Sequence, residues 1–357
     1  MRIIVGIGHP KQVHSWKNVI NKLKNKGHEV RIVVWKKDIT LYLLNIYGFK
    51  YELVGKNYKG LAKKAYGMLM SDLNVLRIAK KFKPDILAGA PVSLAHVSAL
   101  IGKPHIDFTD TEHATLANWL SFPFSDVIVT PACYKGKINP KKHVMFNGYI
   151  PLAYLHPNYF KPDPAVLDDL GLSKNDRYII LRFVSWQASH DIGDSGFTNK
   201  EEVIKSLEPF GQVLITSERK LPPELEKYKI AIPPEKIHHA LYFATLYIGE
   251  SAPMATESAI LGTPAIFVST SRRGYTDELE NKYGLVYNFN DPKTMQKYAL
   301  EKAFKLLENE NIKRIWEKKR MKMLSEKIDV TKFLTDFIGN YPESFYEYKG
   351  KGGGTPI

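Results

Sequence analysis

Residues 244–269, ATLYIGESAPMATESAILGTPAIFVS, decide how this chain is read. The apolar run 246–248 is a strand, 249–253 a tight loop, 254–261 a short helix and Gly262-Thr263-Pro264 a stop, after which 265–268 is a second strand. This order predicts a βαβ unit and therefore a parallel sheet. Its loop opens directly into a helix N-terminus, where the backbone at Met254 and Ala255 and the positive end of the helix dipole favour an anion. Ser251 adds a hydroxyl. Glu257 follows on the second turn, where a carboxylate would repel phosphate but suits the two hydroxyls of a ribose. A phosphate cradle followed by a diol acceptor describes a nucleoside-diphosphate site. The same spacing also fits an ordinary crossover with a surface glutamate.

The strand expected at 178–184 runs into Arg182-Phe183-Val184-Ser185-Trp186-Gln187-Ala188-Ser189-His190-Asp191. Ligands of doubly wound sheets lie beyond the carboxyl ends of the strands, where this loop must be. Arg182, Ser185, Gln187 and Ser189 offer hydrogen-bond donors to phosphate oxygens. His190 can serve as general acid or base, or as a cationic partner of a leaving diphosphate. The alternative is a loop whose Ser and His side chains satisfy its own backbone. Residues 107–113, DFTDTEH, end another expected strand. Here Asp110, Glu112 or His113 could deprotonate a hydroxyl, while Asp110 or Thr111 could cap a helix at 114–119. After the first strand, Gly6-Ile7-Gly8-His9-Pro10 hints at a dinucleotide loop, but the third glycine is missing and no acid closes the strand at 30–35, which argues against a nicotinamide or flavin dehydrogenase. Arg272 and Arg273 follow the strand at 265–268, as diphosphate contacts or as a solvated pair.

The 251–264 segment resembles that of GT-B enzymes, including the lipid-linked N-acetylglucosaminyltransferase of peptidoglycan synthesis and the non-hydrolysing UDP-N-acetylglucosamine 2-epimerases. RFVSWQASHD and ESAPMATESAILGTPAI are more similar still to an uncharacterised, mainly archaeal family related to them. The resemblance implies an α/β chain of GT-B type, with two Rossmann-like parallel-sheet domains facing a central cleft. It implies a nucleotide-sugar donor, expected to be a UDP-sugar, and a diphosphate neutralised by a helix N-terminus, with no metal and no cofactor beyond the donor. It also matches His190 to a catalytic histidine, sets His238 beside the base, places His9 and His14 on the acceptor side, and brings a last helix back to the first domain. The epimerase pattern is incomplete: Gly89-Ala90-Pro91 stands where those enzymes carry Gly-Asp, and Ala188-Ser189-His190-Asp191 replaces their Gly-His-Arg. Glycosyl transfer is therefore the first reading, a 2-epimerase the second and a non-catalytic sugar-nucleotide binder the third.

At 357 residues with 44% hydrophobic residues, two globular domains are expected. The rhythm of the chain suggests an acceptor domain at 1–155, a Pro-rich linker at 156–177, a nucleotide-sugar domain at 178–330, a returning helix at 331–348 and a disordered tail at 349–357. The single Cys133 and the lack of a long apolar stretch point to a cytoplasmic protein. The net charge of +14 fits solvated lysines of thermophile type. It also fits peripheral contact with an anionic membrane, since apolar residues 41–44, 46, 47 and 49 precede the lysines of 56–64. No nucleic-acid motif accompanies the charge. The expected acceptor is a glycan or a lipid-linked molecule.

Overall fold

The computed structural model describes residues 1–37, 39–56, 58, 60–184, 196–217, 221–351 and 356–357, with Leu61 described by its backbone alone. Two compact units emerge, Met1–Tyr159 with Lys327–Ile357, and Phe160–Glu326.

The first unit contains β1 (Arg2–Ile7), α1 (Pro10–Asn25), β2 (Glu29–Lys36), α2 (Thr40–Ile46), β3 (Glu52–Lys56), α3 (Leu61–Phe82), β4 (Ile86–Ala88), α4 (Val92–Ile101), β5 (His105–Phe108), α5 (Thr115–Ser121), β6 (Val127–Pro131), β7 (His143–Phe146) and α6 (Leu152–Leu155). The second contains α7 (Ala165–Asp169), β8 (Tyr178–Phe183), α8 (Lys200–Leu207), β9 (Gln212–Ser217), α9 (Ile237–Phe243), β10 (Leu246–Gly249), α10 (Ala252–Leu261), β11 (Ala265–Val268), α11 (Gly274–Glu278), β12 (Val286–Phe289), α12 (Met295–Leu307) and α13 (Ile312–Glu326). The final helices α14 (Val330–Gly339) and α15 (Glu343–Gly350) belong to the first unit.

Both sheets are parallel: seven strands in the order β3-β2-β1-β4-β5-β6-β7, and five in the order β12-β11-β10-β8-β9. Parallel strands covered on both faces need continuous apolar runs. β1 and β8 supply them, with Ile3, Ile4, Val5, Ile179, Ile180 and Leu181 at 0% exposure. The strand order reverses between β1 and β4 in one sheet and between β8 and β10 in the other. At the first reversal the backbones nearly touch: Gly89 has φ +122°, and a Cβ there would lie 2.7 Å from the Gly6 carbonyl oxygen. No larger residue fits that crossing. In the first unit α14 packs on α1 and α6, where Thr331 Oγ1 donates to the Ala153 carbonyl at 2.6 Å.

Several local expectations differ from the structure. The apolar triplet at 230–232, which reads as a further strand in sequence, forms none; a single bridge joins Ile215 to Lys229, and Pro233 and Pro234 cannot continue a ladder. β3, β7 and β12 are short strands with half-buried or exposed positions, and their polar residues blurred the pattern. In the apolar run at 41–49, Leu43 and Leu44 are fully buried and Phe49 is 7% exposed, Leu41 and Tyr47 are half-buried, and Tyr42 and Ile46 turn outward. Among the described residues no helix is long and apolar enough to cross a membrane.

Candidate functional site

The reversal of the second sheet places the ends of β8 and β10 side by side, with Gly249 registered against Arg182. Such a point opens a crevice at the carboxyl ends of the strands. Gly249 permits the close approach, since a Cβ there would meet the Arg182 Cβ and carbonyl oxygen at 2.7 Å. Glu250 then turns back, accepting the Val184 amide at 2.8 Å and the Phe197 amide at 2.9 Å. One carboxylate thus fixes both sides of the segment that carries Ser185, Gln187, Ser189 and His190. Those four residues lie outside the described residues.

The helix α10 begins two residues earlier than its sequence suggests. Ser251 is its N-cap, and Pro253 falls in the first turn, where a missing N–H costs nothing. Ser251 therefore does more than offer a hydroxyl. Its Oγ accepts the Met254 amide at 3.5 Å, and its carbonyl accepts the Ala255 amide at 3.0 Å. The first contact is at the weak limit of a hydrogen bond, so the Met254 amide and the Ser251 hydroxyl can still turn to an anion. Gly262, at φ +85°, ends the helix in a left-handed cap.

Glu257 is not on the surface. It is 7% exposed and faces His238 of α9, 5% exposed, with Nε2 to Oε1 at 3.4 Å. A buried carboxylate requires such a partner. Tyr247, which the sequence did not single out, links the group: its fully buried phenol donates to the Ser251 carbonyl at 3.1 Å. Burial, and then the negative field of Glu257 and Glu250, push its pKa upward against the opposing pull of Arg182. Thr216, at the end of β9, meets Met254 through its hydroxyl, 3.9 Å from the sulfur. Arg273 precedes the first turn of α11 without a side-chain cap bond and donates to the Arg272 carbonyl at 2.9 Å, while the Arg272 guanidinium is held by Asp277 at 3.0 Å. The second unit thus gathers Ser251, Met254, Ala255, Glu257 and His238 around α10, with Arg182 on the adjoining strand.

In the first unit the ends of β1 and β5 converge. Asp110 forms an ion pair with Lys11 of α1 and accepts the Thr111 hydroxyl at 3.2 Å. Neither Asp110 nor Thr111 caps α5, whose N-cap Ala114 has no side-chain hydrogen bond; the Asp110 carboxylate is drawn to the lysine instead. Glu112 accepts the Lys135 amide at 3.4 Å. Tyr134 lies among these acids: burial first, then the charges of Glu112, Asp107 and Asp110, push its pKa up to about 12. Asp107 is 1% exposed, and its Oδ1 has no hydrogen-bond partner among the described residues. Burial raises its pKa to about 7, opposed by hydrogen bonds from Ser121 and the Phe108 backbone. Its place inside an apolar strand was the sequence signal for such a carboxyl. His9 caps α1, its Nδ1 accepting the Lys11 amide at 3.2 Å. His14 is 6% exposed, bonded to the Tyr47 hydroxyl at 3.2 Å and packed on Tyr154. It is part of the packing of α1, α2 and α6 rather than an open acceptor-side group. Among the described residues no group of three or more His, Cys, Asp or Glu is arranged to hold a metal ion.

The architecture has solved counterparts. A UDP-GlcNAc 2-epimerase from Neisseria meningitidis, bound to UDP-GlcNAc, superposes with a TM-score of 0.65 at 11% identity, over 97% of this chain and 100% of that one. The spinosyn rhamnosyltransferase SpnG does so with a TM-score of 0.60 at 14% identity, over 95% and 98%. The fold is therefore two parallel-sheet α/β domains similar to GT-B glycosyltransferases and UDP-GlcNAc 2-epimerases, as the sequence motifs implied. Among curated proteins, the uncharacterized protein MJ0665 of Methanocaldococcus jannaschii is 24% identical over 275 residues, covering 73% of this chain and 80% of that protein. The model of the family described as "Protein of unknown function (DUF354)" matches residues 1–342, and the chain belongs to that family.

Proposed function

We propose that this protein is a glycosyltransferase that takes its sugar from a nucleoside-diphosphate donor, a UDP-sugar. The observation that carries this reading is the group at the second sheet's reversal: a Ser-capped helix N-terminus followed on the next turn by the buried Glu257–His238 pair. In this reading the start of α10 takes the diphosphate, and Glu257 takes the ribose hydroxyls. Arg182, Ser185, Gln187, Ser189 and Arg273 contact the phosphates or sugar, and His238 edges the base. His190 assists departure of the diphosphate. The acceptor oxygen bonds to C1 of the sugar as the C1–O bond to UDP breaks, and the acceptor proton passes to a base. Glu112 fits that role better than Asp110, whose carboxylate is engaged by Lys11. His9 remains the acceptor-side candidate, and the acceptor is a glycan or a lipid-linked molecule. The solved relatives support a nucleotide ligand: one is described as bound to UDP-GlcNAc, and SpnG has been crystallised with thymidine diphosphate.

The second reading, a 2-epimerase, is favoured by the superposition on an enzyme of that type. Against it, the residues after β4 are Gly89-Ala90-Pro91, with no carboxylate for proton transfer at C2. The two readings separate in one tube. UDP-N-acetylglucosamine incubated with the protein in heavy water and followed by proton NMR is expected to gain no deuterium at C2 and to give no manno product. Deuterium at C2 would overturn the transferase in favour of the epimerase. A thermal-shift screen across UDP, UDP-sugars, GDP-sugars and nicotinamide cofactors identifies the donor class, since a ligand of the folded state raises the melting temperature.

A further inference from the structure

The outward face of α3 is apolar where a surface helix is ordinarily polar. Its inward stripe of Ser71, Val75, Ala79 and Phe82 is buried towards the sheet. On the opposite side Tyr66, Leu69 and Leu73 stand 58%, 58% and 40% exposed. Leu116 and Trp119 on α5 and Phe124 in the turn after it are 63%, 72% and 47% exposed. His96 of α4 ties these elements together. Its Nδ1 meets Asp72 Oδ2 of α3 at 3.0 Å, its Nε2 meets the Leu120 carbonyl of α5 at 3.2 Å, and its ring stands edge-on to Phe124. His96 thus joins α3, α4 and α5, and the six exposed side chains stand on two of these elements and the turn after α5.

Charge frames this surface. Lys63 and Lys64 precede the α3 stripe and Arg77, Lys80 and Lys81 follow it, all exposed. The helix carries one acid, Asp72, which is turned to His96. An apolar stripe with cations at both ends and Tyr66 among its members, beside the exposed Trp119 of α5, is the chemistry of a helix lying in the headgroup region of an anionic bilayer. A second copy of the chain suits the face poorly. Both ends of the stripe are positive, so facing helices would oppose like charges whichever way they ran.

We propose that this face of α3 and α5 seats the protein on an anionic lipid surface, with the apolar side chains among the headgroups and the flanking lysines and arginines on the phosphates. The inference goes beyond sugar transfer and does not depend on it. Co-sedimentation with vesicles of phosphatidylcholine containing about one third phosphatidylglycerol, against phosphatidylcholine alone, tests it. Binding is expected to the anionic vesicles only, and to fall several-fold on raising salt to roughly 0.5 M. The double substitution Leu69→Gln with Leu73→Gln, and separately Trp119→Gln, should each lower the partition coefficient by about tenfold or more through lost apolar burial. Lys63→Gln with Lys64→Gln should lower it by roughly tenfold. All these positions are exposed, so melting temperatures should hold. Absence of binding to anionic vesicles, or binding that the substitutions leave unchanged, would overturn the proposal. So would a wild-type dimer that Leu69→Gln with Leu73→Gln converts to monomer, since the face would then be a protein interface.

Discussion

Replacing Glu257 by alanine separates its binding role from its packing role, because the structure assigns different magnitudes to each. A hydrogen bond to a charged acceptor contributes about 1.5–3 kcal/mol, and each ~1.4 kcal/mol is tenfold in affinity. If the carboxylate accepts one ribose hydroxyl, Glu257→Ala should weaken UDP binding about tenfold, and if it accepts both, about a hundredfold. Wild-type affinity for UDP or a UDP-sugar is expected at roughly micromolar to millimolar. The same substitution strips the buried His238 of its carboxylate partner 3.4 Å away, which should cost about 1–3 kcal/mol of stability. The two effects are read apart by calorimetric titration of UDP at a temperature where circular dichroism shows the variant fully folded. Glu257→Gln, which keeps the volume and one carbonyl acceptor, should fall between wild type and alanine in both measurements. A folded Glu257→Ala that melts lower yet binds UDP with unchanged affinity would refute the ribose assignment and leave Glu257 as a packing residue.

His190→Ala should lower turnover on an identified donor by about a hundredfold or more with little change in melting temperature, and equal turnover would remove His190 from the chemistry. Glu250→Ala withdraws one carboxylate from two backbone amides, at 2.8 and 2.9 Å, and should cost about 3 kcal/mol in urea denaturation; a loss within experimental error would show that the clamp is dispensable. Asp107 gives a pH signature. Its folded pKa is raised from 3.8 to about 7, so the folded chain holds a proton that the unfolded chain releases, and stability should decline as pH rises through that window. Asp107→Asn should flatten the decline and be relatively more stable above it, whereas parallel wild-type and variant profiles between about pH 4 and 8 would contradict the burial argument.

The architecture was legible because parallel strands covered on both faces leave a one-dimensional trace. Runs such as Ile3–Ile7 and Ile179–Leu181, separated by amphipathic helices, need no long-range information to read, and Gly262-Thr263-Pro264 marks a helix end by backbone chemistry alone. In the α10 segment the glycine stop and the second-turn glutamate were legible, whereas Ser251 and Pro253 read as loop; the helix starts at Ala252, which makes Ser251 its cap and puts Pro253 in the first turn. Which way those side chains face was decided elsewhere. Glu257 is buried because α9, coming from another part of the chain, sets His238 against it, and Asp110 is an ion-pair partner because the start of α1 delivers Lys11. His14 and the run at 41–49 looked available in sequence, yet His14, Leu43, Leu44 and Phe49 are buried, His14 against Tyr47 and Tyr154. Conversely, α3 shows apolar residues all round, and only the sheet packed on one side reveals which of them are left facing solvent. Strand and helix are set by local backbone preference and hydrophobic period, whereas burial, ion pairing and exposure depend on which distant segment arrives, and that is settled only when the sheet closes its order.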